Sequence, residues 1–302
     1  MTDGKIRAEW EPLKKVIIHR PGIEMFFGLL DPVASLYERA FSIEGAKMEH
    51  KILESVLKRD MKVEVFLLKD LILEAAAKRP EVRQALINMA AMTIQTENNP
   101  QAAKIALREF ENNAKYLDNE HFFNIILLNP GIEFELNSGF RDINLSITKR
   151  FPLCNLYFMR DQQFVTDKGL VICRLAKPAR KNETKLTKFL WEEVLNVPVI
   201  HEIQEPGCIE GGEFIPMGKF ALVGIGSRTN QEAIDQILSI DFDFQELAVV
   251  HQPMHPLVPS KTPDPMINMH LDTYFNVASS SVVVACELLI KEARVEIYIK
   301  EG

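Results

Sequence analysis

The chain has 302 residues, of which 47% are hydrophobic and 25% are charged, an ordinary globular mixture with material for one large or two small domains. Its net charge of −7 argues against a nucleic-acid partner, because such proteins concentrate Lys and Arg on one face. We find no signal-peptide core and no apolar run as long as a membrane span. Widely spaced cysteines without a CxxC pair predict a cytoplasmic protein; they are Cys154, Cys173, Cys208 and Cys286.

The first 70 residues have the pattern of a strand–helix–strand unit. Val16-Ile17-Ile18 is a short apolar run that ends at the turn signature His19-Arg20-Pro21-Gly22, which predicts a buried strand. Apolar residues at helical spacing predict a helix over residues 44–58, and alternation predicts a strand over residues 63–67. We therefore expect residues 1–70 to form the first module of an α/β protein.

Helical periodicity replaces this pattern over residues 71–128. Asn99-Pro100 is a helix start signal within this stretch, and Asn129-Pro130-Gly131 closes it. A stripe of Met and Phe at helical spacing is typical of a core rather than of a cofactor site. We predict a small helical bundle inserted between β-containing modules.

A strand–strand–helix–strand order recurs after the bundle at a spacing of roughly fifty residues, as in repeat proteins. The three copies span residues 156–203, 213–251 and 271–300. Modules arranged around an axis would bring equivalent strand ends together at the centre. The sequence therefore predicts an α/β propeller of ββαβ modules, of which about four are visible. Residues 129–302 form the modules that follow the bundle, and all modules belong to a single catalytic domain.

Charged residues lie at the predicted strand ends of these modules. On an extended strand, His270 and Asp272 are two residues apart and would project from the same face, which pairs a titratable base with a carboxylate. Arg160-Asp161 and Glu210-Gly211-Gly212-Glu213 occupy comparable positions. Ordinary polar strand ends are the simpler interpretation of each motif alone. Three such ends in one chain favour a shared site.

Six segments occur in a specific order along the chain, although each is weak by itself. They are residues 10–22, Asn155 to Asp161, Pro178-Ala179-Arg180 with Glu183, Glu210 to Glu213, Gly224 to Asn230, and His270 to Asp272. In this order they resemble the motifs of arginine deiminase, within the guanidine-modifying superfamily, and the resemblance covers the whole chain. The helical stretch also resembles the insertion that separates arginine deiminases from smaller relatives.

The resemblance implies a five-module propeller that acts on L-arginine without a metal or cofactor. A cysteine thiolate would attack the guanidinium carbon, ammonia would leave, and water would release citrulline. Asp161 and Asp272 would bind the guanidinium through paired hydrogen bonds. His270 would serve as general acid and then as general base, with Glu210 orienting its imidazole. The residues implied to contact the substrate, chiefly its carboxylate, are Asn155, Phe158, Arg160, Arg180 and Arg228.

The nucleophile has no counterpart here, because the family's cysteine directly follows a histidine in a glycine-rich segment that this sequence lacks. We expect a truncated frame, a fragment, or a separate chain that supplies the C-terminal module. Cys208, two residues before Glu210, is the best internal candidate, although buried free cysteines are usually inert. Departures from the family pattern are Cys154, Met159 and Glu213, the last in place of the usual Asp.

Several alternatives stay open. A zinc hydrolase would use His251 and His255 with His270, but prolines at 253 and 256 argue against the helix that this spacing requires. The sequence Gly224-Ile225-Gly226 lacks the third glycine of a dinucleotide fingerprint. An arginine-binding protein without turnover is a rival from another class, and an amidinotransferase is the rival among enzymes. We expect a homo-oligomer.

Overall fold

The computed structural model describes residues 4–94, 100–136, 143–150, 152–258 and 269–300. The chain divides into two compact units, one made of Met1–Leu13 with Met159–Gly302 and the other of Lys14–Phe158. Both units contain helices and strands, so the predicted mixed α/β class is confirmed. No helix within the described ranges is both long enough and apolar enough to cross a membrane.

The Lys14–Phe158 unit begins with the predicted strand–helix–strand pattern. Strands β1 (Lys15–Ile18) and β2 (Glu64–Leu67) pair in parallel, and helices α1 (Ile23–Gly28) and α2 (Ile43–Ser55) connect them. Helix α2 starts where the Ser42 side chain accepts a hydrogen bond from the backbone N–H of residue 45, at 3.1 Å. These elements confirm the strands and the helix predicted for this region.

Four helices follow, and they confirm the helical prediction for residues 71–128. They are α3 (Leu68–Lys78), α4 (Pro80–Ile94), α5 (Pro100–Asn113) and α6 (Asn119–Leu128). Asp118 caps the start of α6, and Asn129 ends it in a left-handed conformation with φ of 39°. Phe122 and Phe123 of α6 are fully buried, so the aromatic stripe is part of a core.

The region after the helices differs from the prediction. Strands β3 (Pro130–Leu136) and β4 (Ile143–Arg150) form an antiparallel pair that the sequence pattern did not predict. The strand predicted from Leu156 to Thr166 is wrong over its first part, because turns occupy most of residues 154–162 and only Gln163–Val165 form a strand. Backbone N–H groups of Leu156 and Phe158 donate to carbonyl oxygens three residues earlier, which folds this apolar segment back on itself.

Two modules of the other unit have the predicted strand–strand–helix–strand order. The first contains β5 (Gln163–Val165), β6 (Leu170–Ile172), α7 (Glu183–Phe189) and β7 (Val199–Glu202). The second contains β8 (Phe214–Pro216), β9 (Phe220–Ile225), α8 (Gln231–Leu238) and β10 (Glu246–His251). In each module the first two strands are antiparallel and the last two are parallel. Their shared core includes Phe164 and Phe214, whose stacked rings lie 4.2 Å apart.

A third module follows but departs from this pairing. It contains β11 (Phe275–Ser279), β12 (Val282–Ala285), α9 (Glu287–Glu292) and β13 (Arg294–Ile299). Strands β11 and β12 are antiparallel as before, whereas β13 pairs with β10 of the preceding module and not with β12. No sheet closes on itself in the described part of the chain, and the propeller arrangement stays a prediction.

Candidate active site

Three turns position the predicted catalytic residues, each just before the first strand of a module. Asp161 precedes β5 by two residues, Glu210 precedes the turn that leads into β8, and His270 precedes a short turn before β11. The expectation that His270 and Asp272 lie on an extended strand is wrong, because residues 271–273 form a helical turn. Thr273 closes this turn by donating to the His270 carbonyl through both its backbone N–H and its hydroxyl group.

His270 and Glu210 form a buried pair. The Nε2 atom of His270 lies 2.5 Å from Oε2 of Glu210. Burial would lower the pKa of His270, but the hydrogen bond to Glu210 and the charge of Asp161 hold it above its ordinary value. Burial would raise the pKa of Glu210, but the hydrogen bond to His270 and the charge of Arg180 hold it below its ordinary value. The pair therefore favours an imidazolium beside a carboxylate.

Two further carboxylates lie on the other side of the imidazole ring. The Nδ1 atom of His270 is 3.8 Å from Asp161 and 3.7 Å from Asp272. The structure thus brings together all four residues predicted to be catalytic, although Asp161 and Glu210 reach the ring from two turns other than the one that holds His270 and Asp272. Asp272 is the more exposed of the two carboxylates, and burial raises its pKa although the charge of Arg160 opposes the shift.

The two glycines between Glu210 and Glu213 make this approach possible. A Cβ atom on Gly211 would lie 2.1 Å from the Arg160 carbonyl oxygen, and one on Gly212 would lie 2.8 Å from Nδ1 of His270. The Gly211 N–H also donates to the Asp161 carbonyl oxygen at 2.9 Å. Close packing of Gly211 against the Arg160 carbonyl oxygen and of Gly212 against His270 therefore explains why side chains are absent at both positions.

Arg180 lies in a buried ion cluster with Asp161, Glu183 and Glu210. Its Nη1 is 2.7 Å from Asp161 and 3.4 Å from Glu210, and its Nη2 is 2.8 Å from Glu183. Burial raises the pKa of Glu183 even though Arg180 opposes the shift. Glu183 had no predicted role, although its i, i+3 spacing from Arg180 is typical of an ion pair. The predicted contact of Arg180 with a substrate carboxylate is not tested by this geometry.

Arg160 contacts the site through Asp272. It forms two hydrogen bonds with Glu9, at 2.6 and 3.1 Å, and its Nε lies 3.5 Å from Asp272. Glu9 was missed because residues so far apart in sequence give no local signal. Arg228 is buried, and its positive charge is among those that lower the pKa of Glu210.

Asn155 and Phe158 belong to the Lys14–Phe158 unit. Asn155 is buried, and its Nδ2 donates to the Ser35 carbonyl oxygen at 2.9 Å. Phe158 is half exposed, with its ring 4.2 Å from that of Tyr157. Their roles as substrate-binding residues stay predictions.

The four cysteines differ in their surroundings. Cys173 is fully buried, and burial raises its pKa well above the ordinary value, with further contributions from Asp161 and Glu210. The Sγ atom of Cys208, the internal candidate, accepts a hydrogen bond from Arg174 at 3.2 Å. Cys154 is buried in the other unit, and Cys286 is half buried at the start of α9. A protonated buried thiol such as Cys173 is a poor nucleophile.

Ligand atoms of Asp161, Glu210 and His270 lie within 4.8 Å of one another, a spacing that a metal ion could bridge. Arg180 already pairs with both carboxylates of this group, so their charge is compensated by a guanidinium. His251 belongs to no such group in the part of the chain that the structure describes, and it pairs with Glu296 at 3.1 Å.

The sequence matches one known protein family over most of its length. A sequence model described as arginine deiminase matches residues 34–301. The chain belongs to the arginine deiminase family. The chain is 26% identical to the arginine deiminase of Halobacterium salinarum, over 98% of this chain and 73% of that protein. It is 27% identical to the arginine deiminase of Staphylococcus haemolyticus, over 97% of this chain and 71% of that protein.

The arginine deiminase of Treponema denticola is 26% identical to this chain, over 89% of this chain and 66% of that protein. Among solved structures, a variant of DDAH from Pseudomonas aeruginosa complexed with citrulline gives a TM-score of 0.49 and 15% identity, covering 93% of this chain and 73% of that chain. An amidinotransferase of saxitoxin biosynthesis from Microseira wollei gives a TM-score of 0.39 and 11% identity, covering 82% of this chain and 64% of that chain. The family assignment rests on the sequence comparisons.

Proposed function

We propose that this chain supplies the guanidinium-binding and acid–base groups of an arginine deiminase, which converts L-arginine and water into L-citrulline and ammonia. The observation that carries the proposal is the buried His270–Glu210 pair with Asp161 and Asp272 beside the other ring nitrogen. Titratable groups that converge in this way are typical of catalytic sites. Family membership supplies the reaction class.

In this proposal, Asp161 and Asp272 bind the planar guanidinium of the substrate. Asp161 already accepts a guanidinium hydrogen bond from Arg180 at 2.7 Å, which supports such a role. An imidazolium at His270 donates its proton to the departing ammonia as a cysteine thiolate bonds to the guanidinium carbon and the C–N bond breaks. Neutral His270 then takes a proton from water, which attacks the same carbon, breaks the C–S bond and frees the thiolate.

We further propose that the nucleophilic cysteine belongs to a polypeptide segment other than those around the four cysteines of this sequence. The exposed strand β12 supports this proposal. Strands β6 and β9 each have a parallel neighbour, whereas β12 has none among the described residues and exposes Val282, Val283 and Val284. Exposed apolar strand edges of this kind are usually covered by another strand.

An added strand at β12 would give the module of β11 and β12 the parallel third strand that β6 and β9 already have in theirs. We retain the predicted propeller, with its division of the chain into a first module over residues 1–70, a helical insertion over 71–128 and further modules over 129–302. The added segment is either a continuation of this chain or a separate chain. L-Arginine as the substrate, a homo-oligomeric state and a cytoplasmic location belong to the same proposal.

Titration calorimetry with L-arginine tests the binding part of the proposal. We expect the wild-type chain to bind arginine, and we expect Asp161→Ala and Asp272→Ala each to lose this binding, because each removes a guanidinium acceptor. Asp241→Ala is the matched control, since Asp241 is an exposed carboxylate paired with Lys168 and Lys300. Absence of binding by the wild type, or unchanged binding by both site variants, would contradict the proposal.

A protein that binds arginine without turnover is the second candidate. The buried, protonated Cys173 beside Asp161 and Glu210 favours it, because the thiol near the site is poorly reactive. Arginine binding with no citrulline formed, in a native protein whose mass equals the 34.4 kDa of this chain, would support this candidate over the deiminase.

A further inference from the structure

Glu213 is a fully buried carboxylate behind the catalytic turn, and no catalytic step described above uses it. Its Oε2 accepts a hydrogen bond at 2.9 Å from the backbone N–H of Leu271, the residue that follows His270. The Nε2 of Gln252 lies 2.7 Å from each of its carboxylate oxygens. Glu213 therefore joins the end of β10 to the turn that carries His270.

Two glycines on β9 and just after it leave space for this carboxylate. A Cβ atom on Gly224 would lie 2.0 Å from Oε2 of Glu213, and one on Gly226 would lie 2.9 Å from Nε2 of Gln252. The sequence Gly224-Ile225-Gly226, considered above as a nucleotide-binding motif, is thus explained by packing around a buried glutamate. An aspartate at position 213 would be one methylene shorter and would need less of this space.

We propose that Glu213 is a positioning residue for His270: it orients the imidazole through the Leu271 N–H and places a buried carboxylate near it. The proposal rests on the proposed function, in which His270 is the acid and the base. Gly224 is its structural complement, because only a residue without a side chain leaves room for the carboxylate.

The other groups around the imidazole do not duplicate this role. Glu210, Asp161 and Asp272 face its two nitrogens, and Arg180 and Arg228 lie beyond Glu210. Around Glu213 itself the facing groups are the His270 and Asp272 side chains, Gln252, and the buried hydroxyl of Tyr274. Burial raises the pKa of Glu213 to about 7, so its negative charge, which raises the pKa of His270, is present mainly above that pH. Glu213 alone among these carboxylates bonds to the backbone of the catalytic turn within the described residues.

The first test is the titration of His270 followed by NMR of its ring in the intact chain. We expect Glu213→Gln to lower the pH midpoint of His270, because the amide keeps the size and an acceptor for the Leu271 N–H but removes the charge. Glu292→Gln is the matched control, because Glu292 is an exposed carboxylate on α9. An unchanged His270 midpoint in Glu213→Gln would overturn the proposal and leave Glu213 a purely structural residue.

The second test concerns the space at Gly224. We expect Gly224→Ala to lower the urea midpoint of unfolding, and we expect the double variant Gly224→Ala with Glu213→Asp to recover most of that loss. A double variant no more stable than Gly224→Ala would contradict the packing argument. Neither test uses arginine, so a wild-type chain that fails to bind arginine would refute the proposed function and leave the Glu213 result standing.

Discussion

At the scale of single residues, the chain contains the same chemical pair in two settings. His270 and Glu210 lie 2.5 Å apart and are 6% and 1% exposed, whereas His251 and Glu296 lie 3.1 Å apart and are 28% and 39% exposed. Water screens the second pair, while the first interacts in a low-dielectric surrounding. Burial therefore separates a candidate catalytic pair from an ordinary surface contact.

Glu210→Gln is expected to lower the pKa of His270, because the variant loses the carboxylate that stabilises the imidazolium. Ring NMR titration of all histidines in one sample measures this change. Glu296→Gln serves as the exposed control and should leave His270 unaffected. A His270 titration that is the same in wild type and Glu210→Gln would show that the carboxylate does not govern this histidine.

The same pair predicts a pH window for stability. His270 has a raised pKa, so its contribution is complete below the ordinary value of 6.5 and is lost as pH rises through the folded value. Glu210 has a lowered pKa, so its contribution is present above 4.5 and is lost as pH falls. The double variant His270→Gln with Glu210→Gln removes both contributions. We expect it to lose most free energy of unfolding between pH 4.5 and pH 6.5. Urea unfolding across pH measures this loss, and a loss independent of pH would refute the linkage.

Arg180→Met is expected to lower the free energy of unfolding by about 3 to 5 kcal/mol, because it leaves three carboxylates buried without their cation. Arg59→Met is the control, since Arg59 forms an exposed pair with Asp60 and its loss should change stability little. Urea unfolding at neutral pH compares the two variants. If Arg180→Met were as stable as the control, the buried cluster would not depend on its arginine.

At the scale of elements, the turn from Glu210 to Glu213 serves both stability and the site. Gly211 packs against backbone carbonyl oxygens of Arg160 and Gln163, whereas Gly212 packs against the side chains of His270 and Asp272. The backbone of Arg160 and Gln163 cannot move without shifting β5, whereas the side chains of His270 and Asp272 can rotate. The two neighbouring glycines should therefore respond differently to the same added methyl group.

Gly211→Ala is expected to cost about 1 to 3 kcal/mol of stability through overpacking. Gly212→Ala should retain most of the stability but weaken arginine binding, because its methyl group displaces His270 and Asp272. Urea unfolding and calorimetry on both variants separate the two effects. Equal losses of stability in the two variants would show that the turn shifts as one rigid body.

At the scale of the whole molecule, the two compact units each have their own strands and helices. His270 and the three carboxylates around it belong to Met159–Gly302, and Glu9 comes from the N-terminal segment of the same unit. The candidate residues Asn155 and Phe158 belong to the other unit. The unpaired position beside β12 belongs to the unit that contains His270. The proposed extra segment is therefore needed where the catalytic groups already lie.

The intact mass of the protein from its native source tests this proposal. We expect a mass above 34.4 kDa by one more module, on the order of ten kilodaltons, or a second chain that copurifies and supplies the cysteine. The cysteine labelled by an arginine-like affinity reagent should lie in that extra segment. A native mass equal to this chain, with no copurifying chain, would favour the arginine-binding candidate instead.

Local patterning predicted most elements because helical and strand periodicities are properties of short segments. The strands β1 and β2 and the helix α2 lie where the pattern indicated, and the elements β5 to β7 and β8 to β10 follow the predicted module order. The strand expected at Leu156 and the one through His270 were wrong, because backbone and hydroxyl hydrogen bonds to nearby carbonyl oxygens close turns that hydrophobic spacing does not report.

The sequence by itself determined the family through the order of its motifs, and through that resemblance it predicted His270 and the three carboxylates that surround its imidazole. Tertiary structure alone decided that Arg180 pairs with Asp161 and Glu210, that Glu213 reaches the Leu271 N–H, and that β13 joins β10. Such contacts join residues far apart in the chain. Their energies depend on burial and distance, and neither quantity exists before the chain has folded.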